Sequence, residues 1–126
     1  MVTLPSSATV IELLDTLDDN KIGAVVVLDD DRVVGIVSER DVVHHLRSGQ
    51  DQTAPLSQLM SADVHSVTAE DDLVQLATTM TERRLRHLPV IEDGVLRGIV
   101  SIGDVVKARL DALEAERDML EDYLRR

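Results

Sequence analysis

A ten-residue phrase that occurs twice constrains this chain more than any other feature. Val34-Gly35-Ile36-Val37-Ser38-Glu39-Arg40-Asp41-Val42-Val43 returns as Arg97-Gly98-Ile99-Val100-Ser101-Ile102-Gly103-Asp104-Val105-Val106. Gly35 and Gly98 are 63 residues apart, and so are Asp41 and Asp104. Gly-Ile-Val is a short β-branched run, suited to a strand covered on both faces. The following Ser-x-x-Asp places a hydroxyl at an N-cap and a carboxylate at N3, a helix start signal. Each copy therefore predicts a strand that runs directly into a helix. The free N–H groups at such a helix start form a place where phosphate can bind.

The remainder of the chain obeys the same offset. Residues 2–4 predict a strand closed by Pro5, and Thr9 to Glu12 fits a capping box. Val10, Leu13, Leu14 and Leu17 then make one apolar helical face. Residues 22–28 and 33–37 predict a β-hairpin around the acidic turn 29–32. The helix after Ser38 is expected to turn Val42, Val43 and Leu46 inward and to end near Gly49. Residues 50–54 form a polar connector, and residues 55–60 predict a helical turn or two leading into the second half. There the pattern restarts, with a strand at 64–67 and a helix capped by Asp72 with Gln75 at N3. That helix turns Leu73, Leu76, Ala77 and Met80 inward. Strands at 85–91 and 96–100 follow, around the turn Glu92-Asp93-Gly94. The expected fold class is α/β, two tandem β-α-β-β-α repeats related by a pseudo-two-fold axis, with an extended C-terminal helix. Two small mixed sheets are expected, with helices from both repeats packed between them. The boundaries are 1–49 for repeat one, 50–60 for the linker and lead-in helix, 61–109 for repeat two and 110–126 for the tail.

The tail breaks the symmetry. Val106, Leu110, Leu113, Leu120 and Leu124 recur at three- and four-residue spacing, interrupted by Arg117. Glu114, Glu116, Asp118, Glu121, Arg125 and Arg126 belong to its charged remainder. The stripe either packs back on its own repeat or meets a partner helix, and a homodimer is expected.

Composition bounds the function. The core must be aliphatic, because Tyr123 is the only aromatic residue. A formal net charge of −11 argues against nucleic acid and anionic membranes as partners. The absence of cysteine excludes disulfides and thiolate metal sites. His44 and His45 point apart on a helix and His65 is isolated, so no metal site is expected. No catalytic residues are assigned, since no Ser/His/Asp order, thiol nucleophile or phosphate-gripping glycine loop stands out. No signal peptide or spanning run is visible from Met1 onward, so a cytoplasmic protein is expected.

A β-α-β-β-α unit repeated about sixty residues apart, each copy ending in this Ser-x-x-Asp phrase, resembles the tandem cystathionine-β-synthase (CBS) domain pair. Arg84-Leu85-Arg86-His87-Leu88-Pro89-Val90 and Asp93-Gly94 are similar to that family's second strand and turn. The resemblance implies a non-catalytic regulatory module, similar to small stand-alone bacterial members, that binds an adenosine-containing ligand such as AMP, ADP or ATP in clefts between the repeats. No cofactor is implied beyond such a ligand. Carried over, Asp41 and Asp104 would accept ribose hydroxyls, with Ser38 and Ser101 beside them. Thr3 and Ser66 would contribute from the first strands. Arg86 or His87 would meet phosphate where repeat one has only Gly23 and Ala24, and Arg40 is repeat one's substitute. The expectation is that Asp104 and Ser101, together with Arg86 or His87, dominate. Most members have a lead-in helix before repeat one, and this chain, beginning at its first strand, looks shortened there.

Plainer readings stand beside these. Both Ser/Asp pairs would serve as helix caps in a protein that binds nothing, and Arg83, Arg84 and Arg86 could be a solvated cluster at a helix end. The alternative function is a structural or protein-interaction dimer with degenerate clefts and no nucleotide ligand.

Overall fold

The computed structural model describes residues 2–62, 64–68 and 70–125, so Arg126 of the charged tail lies outside the described residues. The first repeat comprises β1 (Thr3–Leu4), α1 (Val10–Asn20), β2 (Ala24–Asp29), β3 (Arg32–Ser38) and α2 (Glu39–Arg47). A single 3-10 turn, Leu56–Gln58, leads into the second. There α3 (Leu73–Arg83), β4 (His87–Glu92), β5 (Val95–Ser101) and α4 (Ile102–Leu124) follow.

The offset of 63 holds down to single hydrogen bonds. Thr9 and Asp72 cap α1 and α3, accepting from the N–H groups of Glu12 and Gln75. The second is a full capping box, whereas the first has only the forward bond from the Glu12 N–H. Lys21 and Arg84 end those helices in the left-handed region, with φ of 53° and 55°. Ala24 pairs with Ser38 as His87 pairs with Ser101, and each hairpin carries a bulge at the matching place. Both hairpin turns use two residues with positive φ, Asp30-Asp31 and Asp93-Gly94, as twisted two-residue turns require.

Strand alternation decides which way each sheet faces. Val25 and Val27 of β2 enter an apolar cluster with Val10, Leu13 and Leu17 of α1, while Leu88 of β4 joins Leu76, Met80 and Val105 in a second cluster. The alternate residues Val26 and Pro89 are fully buried yet belong to neither cluster. They line the spaces where strands of one repeat meet strands of the other. Strand faces of the two repeats thus oppose each other, and each repeat's helices pack against its own strands. The expectation of helices packed between the sheets is corrected: among the described residues there are two apolar clusters, one per repeat.

Two further expectations change. The strand at 64–67 reduces to one bridge, Val67 to Val90, held by Val67 N–H to the Pro89 carbonyl (3.0 Å) and Ile91 N–H to the Val67 carbonyl (2.9 Å). Another rung toward His65 would need an N–H from residue 89, and proline has none. Val26 occupies the matching place in β2, where Thr3 and Leu4 both pair. On α2, Val42 is buried but Val43 and Leu46 are exposed. The second inward residue is His45, whose Nε2 lies 3.0 Å from the Asp51 carbonyl. That bond satisfies Nε2, and with Val42 and His45 inward Val43 points to solvent.

Candidate functional site

Each Ser-x-x-Asp phrase folds as a capping box at the mouth of a cleft. Asp41 Oδ2 accepts from Ser38 N–H (2.8 Å) and Ser38 Oγ (3.1 Å), while Ser38 Oγ accepts from the Asp41 N–H at 3.4 Å. In repeat two, Asp104 Oδ2 accepts from Ser101 N–H (3.0 Å) and Ser101 Oγ accepts from Asp104 N–H (3.1 Å). Bonds to Ser101, the backbone N–H first, hold the Asp104 carboxyl below the usual range, aided by His87 and Lys107. Among the described residues, the capping bonds of both aspartates use Oδ2 alone. Each Oδ1 keeps its lone pairs for another donor, so capping and ligand holding are compatible in one side chain.

Two clefts form, and each takes its parts crosswise from the two repeats. The first, about 320 Å³, combines Ser38, Glu39, Arg40 and Asp41 of repeat one with Arg84, Arg86 and His87 of repeat two. Its apolar lining includes Ile36, Val64, Leu85 and Pro89. The second, about 550 Å³, combines Ser101 and Asp104 with Lys21, Gly23, Ala24 and Val26 of repeat one. Arg86 therefore shares a cleft with Asp41, so of the two partners expected for Asp104 and Ser101 only His87 lines their cleft, and the placement of Arg86 there is corrected. The reason is topological. Both halves of the phrase and the strand before it belong to one hairpin, but the opposing wall comes from the other repeat.

His87 borders both clefts. Its ring occupies the space beside Gly23, where an added Cβ would stand 3.6 Å from Cε1 and Nε2. Burial, then the neighbouring Arg86, pushes the His87 pKa down, opposed by Asp104 and Glu39. Arg86 lies just before β4, outside the strict alternation of a strand, so it and His87 both reach the first cleft.

Thr3 and Ser66 line neither cleft; the residues before them, Val2 and His65, do so instead. Sequence reasoning chose the hydroxyl, whereas the backbone turns its neighbour inward. It also left Lys21 out. The available signal was positional: Lys21 and Arg84 are 63 residues apart, both basic and both at a helix end. The balance of charge differs between the clefts. Three arginines stand with Glu39 and Asp41 in the first, against one lysine with Asp104 in the second. The first is the better setting for an anion.

Among the described residues, no group of three or more His, Asp or Glu side chains is placed to hold a metal ion. No helix among them is long and apolar enough to cross a membrane.

Comparison with known proteins agrees with this architecture. The CBS domain model matches residues 1–48 and 56–111. A CBS-domain protein of Agrobacterium tumefaciens shares 42% identity, covering 86% of this chain and 89% of that one, with a TM-score of 0.83. A CBS domain protein of Pyrobaculum aerophilum, solved in complex with AMP, shares 30% identity over 82% of this chain and 81% of its own, with a TM-score of 0.75. An uncharacterised 17.7 kDa protein of Acidianus ambivalens is 37% identical over 107 residues, covering 83% of this chain and 65% of its own length. The chain spans roughly a third to two thirds of the first curated relatives it matches (65%, 32% and 39%). The chain belongs to the CBS-domain family and has the tandem pair. Such pairs are non-catalytic regulatory modules, and relatives are known that hold adenosine compounds.

Proposed function

We propose that this chain is a regulatory module that binds an adenosine-containing nucleotide, such as AMP, ADP or ATP, in the first cleft. One observation carries the reading: Asp41 and Ser38 of one repeat line the same cleft as Arg84, Arg86 and His87 of the other. Asp41 Oδ1 accepts from ribose hydroxyls. The three arginines and the start of α2 draw phosphate against a net charge of −11. Ile36, Leu85 and Pro89 offer apolar surface to the base. A relative in the same family was solved with AMP, which fits a ligand of this class.

Titration calorimetry of the full chain with AMP, ADP, ATP, adenosine and S-adenosylmethionine tests the reading. AMP should bind, Asp41→Asn should weaken it about tenfold to a hundredfold, and Arg86→Ala should weaken AMP more than adenosine. No binding by any of these compounds would overturn the proposal in favour of a structural module with degenerate clefts. Full AMP affinity in folded Asp41→Asn would reduce that aspartate to a helix cap and end the ribose assignment.

A further inference from the structure

The helix α4 presents two different faces. Val105 is buried in the second apolar cluster, with Ala108 and Ala112 partly covered on the same side. Val106, Leu110, Leu113, Leu120 and Leu124 run along another side and are exposed, Leu110 to 60% and Leu120 to 64%. With Arg117 included, their spacing alternates four and three residues from 106 to 124, the seam of a two-stranded coiled coil. The body of this chain covers the first face and leaves the seam bare.

Charge along α4 indicates what covers it. Lys107 and Arg109 flank the seam at its start, while Glu114, Glu116 and Glu121 flank it further on. Lys107 and Glu121 are roughly 21 Å apart at 1.5 Å per residue, so neither can neutralise the other within one helix. We propose that α4 pairs antiparallel with α4 of a second copy of this chain.

In that register Val106 faces Leu124 of the second copy, Leu110 faces Leu120, and Leu113 faces Arg117. Every layer joins one position of each seam type, as antiparallel pairs do. Lys107 meets Glu121 and Arg109 meets Tyr123, twice each by symmetry. Glu114 and Glu116 approach their own counterparts at the centre, and Arg117 of each copy lies among them. Arg117 already reaches Glu114 (3.7 Å), Asp118 (3.6 Å) and Glu121 (3.9 Å) on its own helix. Its aliphatic stem covers Leu113 of the second copy while its head stays wet. A parallel pair would set Arg109 beside Glu114 but would stack Arg117 on Arg117, bring Glu116 against Glu121 and leave Lys107 without an acidic partner across the seam.

Disulfide trapping decides the matter, because the chain has no cysteine of its own. Leu110→Cys and Leu120→Cys alter exposed side chains and leave both apolar clusters intact, which circular dichroism checks. Mixed and oxidised, the two variants should form a cross-linked heterodimer, while either alone should remain uncross-linked. Self-cross-linking of Leu110→Cys would establish a parallel pair and overturn the proposal, as would the absence of any cross-link. The wild-type chain should sediment at twice 13.9 kDa. Lys107→Glu with Arg109→Glu should weaken the dimer roughly threefold to tenfold, and adding Glu121→Lys should restore it. Failure of that rescue would also count against the antiparallel register. A dimer held only by the CBS repeats would show neither the cross-link nor the rescue.

Discussion

His87 holds a position that no single repeat could provide, between two clefts and against the backbone of Gly23 from the other half of the chain. Its pKa lies below the ordinary 6.5, with burial as the first cause and Arg86 as the second. The unfolded chain therefore takes up this proton more readily than the folded one. Stability from the neutral ring is present above about pH 6.5 and is lost as pH falls below it, toward the depressed folded value. A proton NMR titration of the ring should give a midpoint under 6.5. His87→Gln should flatten the pH dependence of the urea midpoint in that window. AMP in the first cleft should raise the NMR midpoint, because a nearby phosphate favours imidazolium. If AMP binds and the midpoint stays where it was, the phosphate does not lie beside this ring.

Among the elements, two identical glycines have different surroundings. A Cβ at Gly35 would lie 2.7 Å from Met60 Sδ and 3.0 Å from the Ser61 carbonyl oxygen, whereas at Gly98 nothing lies within 4 Å. The cause is the linker. Ser61 pairs with Ile36 through two backbone bonds of 2.9 and 3.1 Å, laying residues 60–61 against β3. Among the described residues, no corresponding segment crosses β5 near Gly98. Gly35→Ala should therefore cost about 1–3 kcal/mol by overpacking, and Gly98→Ala should stay within about 0.5 kcal/mol, both read from urea unfolding. Equal costs would mean that the linker does not press on β3. This contrast was not legible in the sequence, where the glycines sit in matching phrases. Hairpins and helix starts were legible, because each has a local cause within a few residues, although Thr9 and Glu12 form only the forward half of the expected capping box. The shortened strand at Val67 was half legible. Pro89 was visible, but which rung it deletes depends on the parallel register with Val90. The turning of His45 inward depends on Asp51, six residues away in a connector with no periodicity of its own.

At the scale of the whole molecule, the candidate site is made by the facing of repeats. That arrangement is where sequence reasoning misplaced Arg86, while His87 does border the cleft of Ser101 and Asp104. The offset of 63 correctly identified Ser38 with Ser101 and Asp41 with Asp104, yet within clefts expected between the repeats it grouped Arg86 with the aspartate of its own repeat. Opposed strand faces exchange the walls, so Arg86 serves the cleft of Asp41 and Lys21 that of Asp104. A double-mutant cycle measured by AMP affinity tests the crossing directly, resting on nucleotide binding in the first cleft. Two groups that hold one ligand share its positioning, so removing either leaves the other less to lose. Asp41→Asn combined with Arg86→Ala should therefore depart from additivity by about 0.5–3 kcal/mol. Asp104→Asn combined with Arg86→Ala concerns two different clefts and should add within about 0.5 kcal/mol. Each single variant must retain its unfolding midpoint apart from the small loss expected of a weakened cap. Coupling of Arg86 to Asp104 with independence from Asp41 would return each cation to its own repeat's aspartate. It would also place the ligand on the other side of His87.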